Sequence, residues 1–328
     1  MMRYTACSFL ILGMVAVSCL EVRPSKGERE LTNRSARTKV PEFQLLKGDD
    51  AVKNDYLSEQ DRLRREQELL DAETNYNQDP ANEDKIIWYG RRLGYLGKHQ
   101  EAINVYTEGL VKMPQSYKLY RHRGHRFITI RAFDQAVEDL QNAAFYVSNE
   151  RNEIEPDGIA NAYNKPLSNI KFNIWYHLGL AYYLQGNYDK AISSYKKCLQ
   201  FSNNNDLKVA TINWLFATYS KIGNNDAAEA LTDEIPGNMT LMENRLYHDL
   251  IMLYRGFVTP SVIIRRNADN GEINATVGYG IGNWYLINGD VNNAKTIFSR
   301  VTSGNQVDSF GYIAAEVELN NLNDSNRQ

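Results

Sequence analysis

The chain is poor in cysteine: it has three, Cys7, Cys19 and Cys198, in 328 residues. Cys7 and Cys19 fall in an N-terminal export-type segment. Cys198 is left without a partner, so a disulfide framework is excluded and the thiol reads as a small apolar filler. Excess charge of either sign is also missing. Lys+Arg number 37 and Asp+Glu 40, for a net charge of −3, which argues against a general nucleic-acid binder. The apolar run 6–17 is shorter than the roughly 20 residues a membrane-spanning helix needs. No glycine-rich phosphate loop follows a strand pattern, and there is no nucleophile elbow. Gly278-Tyr279-Gly280-Ile281-Gly282 has no strand before it and reads as close helix packing. His122 and His125 stand at i, i+3, but zinc needs further ligands and no Cys/His spacing supplies them. No metal, cofactor or catalytic residue is expected.

What is present is a repeat. Ala102 and Ala136 are 34 residues apart, and each lies in the same pattern of two amphipathic helices. The first unit carries Gly90, Gly97, Ala102, Tyr106 and Gly109, with Pro114 where a second helix must stop. The second has Tyr120, Gly124, Phe127, Ala136 and Ala143. The third is the clearest: Trp175, Leu178, Gly179, Tyr182, Gly186, Ala191 and Tyr195, with Trp175, Leu178 and Tyr182 forming one stripe on one helix. Leu215, Tyr219, Gly223 and Ala228 form a weaker fourth unit. Gly282, Tyr285, Gly289, Ala294 and Phe298 form a late one. A hairpin of this kind cannot bury its apolar face alone and must stack on copies of itself.

These positions and this period resemble the tetratricopeptide repeat. The runs Tyr89-Gly90-Arg91-Arg92-Leu93, Glu155-Pro156-Asp157-Gly158 and Asn173-Ile174-Trp175-Tyr176-His177 are similar to a group of uncharacterised bacterial tetratricopeptide proteins. The resemblance implies an all-α fold, a right-handed superhelical solenoid of stacked helix-turn-helix hairpins, and no assigned reaction. The expected organisation is a signal peptide at 1–18, a flexible tether at 19–54 and a capping helix at 55–84. Units 1 and 2 follow at 85–148, an acidic insertion at 149–169 and units 3 and 4 at 170–236. A degenerate unit at 237–273 and a last unit with its cap at 274–328 complete the chain. Nearest-neighbour stacking predicts an elongated solenoid.

Ala16-Val17-Ser18-Cys19 resembles a bacterial lipoprotein signal, although leucine is usual where Ala16 stands. It implies lipidation of Cys19, attachment to a membrane and a place in the bacterial cell envelope. Cleavage after Ser18 without lipid is the alternative.

In stacked hairpins the first helix of each unit lines the concave groove. Positions three before and one after the mid-helix glycine face it. That rule selects Arg91, then Arg121 and His125, Tyr176, Asn213, and last Tyr279 and Asn283. One end of the groove is basic and its centre is aromatic and amide. This suits a partner protein or peptide with an acidic or carboxylate group. The insertion, with Glu153, Glu155 and Asp157, is expected to fold towards Arg91, Arg121 or Arg123. The leading functional expectation is an envelope adaptor that binds a protein. Two alternatives stay open: a small-ligand receptor using Tyr176, Tyr183 and Tyr279, and an enzyme using Glu153, Glu155 and Asp157 with His125 and His177.

Overall fold

The computed structural model describes residues 58–269 and 272–324. The expected signal, the tether and Cys19 lie outside them. The described residues belong to one compact unit.

A lone helix, α1 (Glu59–Gln78), comes first. Six hairpins follow in chain order: α2 (Glu83–Tyr95) with α3 (His99–Lys112), and α4 (Tyr117–Thr129) with α5 (Phe133–Tyr146). Next are α6 (Ile170–Leu184) with α7 (Tyr188–Leu199), and α8 (Asn205–Lys221) with α9 (Asn225–Asp233). The last two are α10 (Arg245–Tyr254) with α11 (Pro260–Asn267), and α12 (Ala275–Ile287) with α13 (Val291–Thr302). α14 (Phe310–Asp324) ends the stack. A two-residue antiparallel pair, β1 (Ala268–Asp269) and β2 (Glu272–Ile273), joins α11 to α12. It falls in the degenerate unit, and an isolated antiparallel bridge, Ile154 to Asn169, closes the base of the insertion.

The sequence punctuates this order. Asn82, Ser116, Asn169 and Asn204 each accept a hydrogen bond from the backbone N–H three residues on. Each thereby starts the first helix of its unit. Gly97, Gly186, Gly223, Gly256 and Gly289 follow the first helices of units 1, 3, 4, 5 and 6 in the left-handed conformation, φ 71 to 78°, which a glycine adopts without steric cost. Arg131 occupies the same slot in unit 2, at φ 64°. Within a hairpin the two helices approach so closely that a Cβ at Gly179 would stand 2.7 Å from the Tyr195 ring.

The helices stack in chain order as expected, and the C-terminal end adds contacts beyond its neighbours. The C-terminal helices reach back across the concave side to units far away in sequence. Tyr279 of α12 stacks on Trp214 of α8, ring centroids 5.5 Å apart. Phe310 of α14 sits 5.3 Å from His125 and 5.5 Å from His177. Lys221 of α8 pairs with Glu318 at 2.6 Å. One apolar core therefore runs from Ile103 to Ala315. These contacts add to nearest-neighbour stacking, because the inner helices of the middle units bury most of their surface. α6 buries thirteen of its fifteen residues, and a helix with no polar face has to be covered on every side.

Candidate functional site: the closed groove

The seven residues selected for the groove divide into two groups. Tyr176, Asn213, Tyr279 and Asn283 are buried. Tyr176 donates or accepts a hydrogen bond with Tyr247 of α10 at 3.2 Å and stacks on Phe172 at 5.3 Å. Tyr279 lies between Trp214 and Phe298, and its hydroxyl meets that of Tyr183. Asn213 and Asn283 each keep one buried amide atom without a hydrogen-bond partner. The groove expected at these positions is filled by the chain's own α10, α12 and α14. Aromatic rings release more free energy packed on one another than facing water.

Arg91, Arg121 and His125 form the second group, at the basic end. Arg121 is 7% exposed. Its partner comes from the insertion: Glu155 Oε1 lies 2.9 Å from Arg121 Nη2. The other carboxylate oxygen of Glu155 accepts from Asn173 Nδ2 at 2.9 Å, and His122 Nε2 lies 3.7 Å from Oε1. Arg91 Nη1 donates to the Pro156 carbonyl at 2.9 Å. Arg92 Nη1 donates to the Gly158 carbonyl at 3.0 Å. Arg123, the third expected target of the insertion, turns the other way. It makes a two-pronged pair with Asp139 of α5, both bonds 2.7 Å.

Behind these contacts lie His122, His125 and His177. Burial, reinforced by the neighbouring arginines, holds the first two well below the usual imidazole range. Burial pulls His177 down to about 3, with Arg121 adding to it. All three are neutral near pH 7. Burial also lowers the Arg121 pKa against the pull of Glu155. The Arg121 Nε–H and one carboxylate oxygen of Asp157 are buried with no hydrogen-bond partner.

Sequence reading missed Arg131. It holds the C-terminal segment, with Nε to Glu316 at 2.8 Å and Nη2 to the Val307 carbonyl at 3.0 Å. The signal was visible as an arginine in a slot that every other unit from 97 to 289 fills with glycine. A side chain held in that conformation costs on the order of 1–3 kcal/mol and points to a local task. His99 supports the same closure, with Nε2 3.1 Å from Asp308.

Among known proteins, residues 172–205 match the family model for the tetratricopeptide repeat. The matched unit is the hairpin of α6 and α7, the clearest repeat of the stack. It is 28% identical over 137 residues to BBSome complex member BBS4 of Bos taurus, covering 42% of this chain and 22% of that one. It is 25% identical over 180 residues to small glutamine-rich tetratricopeptide repeat-containing protein 2 of Saccharomyces cerevisiae, covering 55% and 41%. The chain thus spans less than half the length of these curated relatives. Among solved structures, a tetratricopeptide repeat protein from Parabacteroides merdae aligns with 88% of this chain and 99% of its own, at 16% identity and TM-score 0.47. MamA aligns with 56% and 94%, at 20% identity and TM-score 0.40. Among the described residues no helix is long and apolar enough to cross a membrane.

Proposed function

We propose that this chain is a non-catalytic adaptor that binds a partner protein at the basic end of its concave face, through Arg91, Arg121 and His125. The partner presents an acidic or carboxylate group. One observation carries this reading: Arg121 already holds a carboxylate, that of Glu155, and the segment bearing it is an insertion into the repeat pattern. Arginine takes carboxylates in defined geometry and keeps its charge when buried. Nothing else in the repeat plan calls for a cation there. Tetratricopeptide repeats are protein-interaction scaffolds as a class, which agrees. We further propose that Cys19 carries lipid and holds the scaffold at a membrane of the bacterial envelope, with 19–54 as the tether.

The test is capture of partners by the full-length protein from solubilised envelope, scored by quantitative mass spectrometry. Arg91→Ala is the control, because Arg91 makes its contacts to the insertion through the Pro156 carbonyl and not through a direct ion pair. A protein enriched by wild type and reduced at least tenfold by folded Arg91→Ala is the expected result. Equal enrichment by both would remove the basic end from the function. Cys19→Ser should move the protein from the membrane fraction to the soluble one. If it stays membrane-bound, the lipid anchor is wrong.

A further inference from the structure

The insertion shows what the basic end of the groove recognises. We infer that the site takes an extended peptide with glutamate followed directly by proline and, two residues later, glycine, and that residues 155–158 are a tethered copy of that ligand. This rests on the proposed groove-binding function and specifies its ligand.

Each position has a physical requirement. Glu155 supplies two carboxylate oxygens, one to Arg121 and one to Asn173, both at 2.9 Å. Glutamine would lose the charge and one acceptor. Pro156 keeps the preceding residue extended, brings no backbone N–H needing a partner, and offers its carbonyl to Arg91. Gly158 offers its carbonyl to Arg92 at 3.0 Å while lying against Tyr95 and Arg91 so tightly that any Cβ would overlap the Tyr95 hydroxyl. Residue 157 is the position the site does not satisfy. Asp157 buries a carboxylate oxygen without a partner, and that costs free energy. The tethered copy is therefore a suboptimal ligand.

It is also weakly fastened. Ile154, Ile159 and Tyr163 are 69%, 55% and 64% exposed, so the segment turns its large apolar side chains to water. Hydrogen bonds and ion pairs hold it in place. Contacts of that kind can be exchanged for the same contacts from a second peptide at little net cost. A tethered segment competes at an effective concentration on the order of millimolar, so a partner with the better residue at position 157 can displace it.

The experiment is fluorescence anisotropy of a labelled synthetic peptide spanning residues 152–160 against the full chain. The receptors are wild type and the double variant Glu155→Gln, Gly158→Ala, which weakens the chain's own copy. Binding to the variant should be at least tenfold tighter than to wild type. A peptide with Gln at position 155 should bind it at least tenfold more weakly, and one with Ala at position 157 several-fold more tightly. If the variant does not fold, protease sites placed at 149–152 and at 160–163 and cut after folding release the segment from the chain without changing residues 155–158. The cut protein should then exchange in the labelled peptide. Folded variant or cut protein that binds neither peptide, or binds the Glu and Gln forms equally, overturns the inference. Capture of a partner that still depends on Arg91 alongside that negative result would refute the motif and leave the adaptor reading standing. A bound peptide with no Arg91-dependent partner would do the reverse.

Discussion

Two regions of the concave face are closed by different means. At the centre, Trp214, Tyr279, Phe298 and Tyr183 interlock and Tyr176 pairs with Tyr247, the polar groups among them including hydroxyls and the buried amides of Asn213 and Asn283. At the basic end, a loop with outward-facing apolar residues lies over arginines and neutral histidines and is held by hydrogen bonds and one buried ion pair. Aromatic closure loses apolar burial if it opens, about 25 cal/mol per Å², and no competing ligand restores that. Polar closure loses only bonds that water or a partner can replace. The same fold thus has a permanent seam and a removable one.

The largest effect should come from the permanent seam. Trp214→Ala should lower stability by about 3–5 kcal/mol in chemical denaturation, the range for truncating a large buried ring. A loss below about 1 kcal/mol would mean that the centre is not a core.

The sharpest contrast lies on one helix. Arg123 and Arg121 of α4 each hold a carboxylate, but Asp139 belongs to a packed helix and Glu155 to the insertion. Orphaning a buried ion costs about 3–5 kcal/mol where it stays buried, and Asp139→Ala should lie in that range. Glu155→Ala should cost only about 1–2 kcal/mol, because the loop lifts and water solvates Arg121. Equal losses from the two substitutions would erase the distinction.

Acid should separate the regions too. His122, His125 and His177 have folded pKa values below the ordinary 6.5, so between the folded and unfolded values the unfolded chain binds more protons. Their contribution is whole above pH 6.5 and is lost progressively as pH falls below it, for His177 down to about 3. His177 alone gives a loss of roughly 2 kcal/mol at pH 5. Hydrogen exchange at pH 5 against pH 7, corrected for intrinsic rates, should show protection falling first around α4 and 150–169. A uniform loss across α8 and α12 would contradict this.

Arg131→Gly should give the smallest change in global stability, within about 1 kcal/mol. Relief of left-handed strain offsets the lost bonds to Glu316 and Val307. Its mark should be local, as faster exchange at the start of α14.

Much of the architecture was legible because repeats expose their rules. The alanine period, the recurring glycines and the apolar stripe of the third unit each carry one local requirement, and local requirements are read without knowing the fold. The insertion and its attraction to Arg91 and Arg121 were legible from charge and from the broken period. Closure of the groove was not, since it depends on superhelical curvature that brings α12 and α14 to α8 and α6. Tyr176, Asn213 and Tyr279 occupy the positions a solvated groove would use, and nothing local distinguishes the two cases. Trp214, beside Asn213, was the available warning, because a ring of that size seldom lines a wet surface. Arg131 was the other.

Native-state thiol labelling tests the removable seam most directly. The variant His122→Cys places a thiol beneath the insertion, and Cys198, fully buried in the central core, is the reference in the same molecule. Labelling at each position is followed by peptide mass spectrometry without denaturant. The thiol at 122 should react by an opening at least tenfold more frequent than the one that exposes Cys198. Reaction of both at one common rate would mean that loop and core open together, and that no seam in this fold is removable.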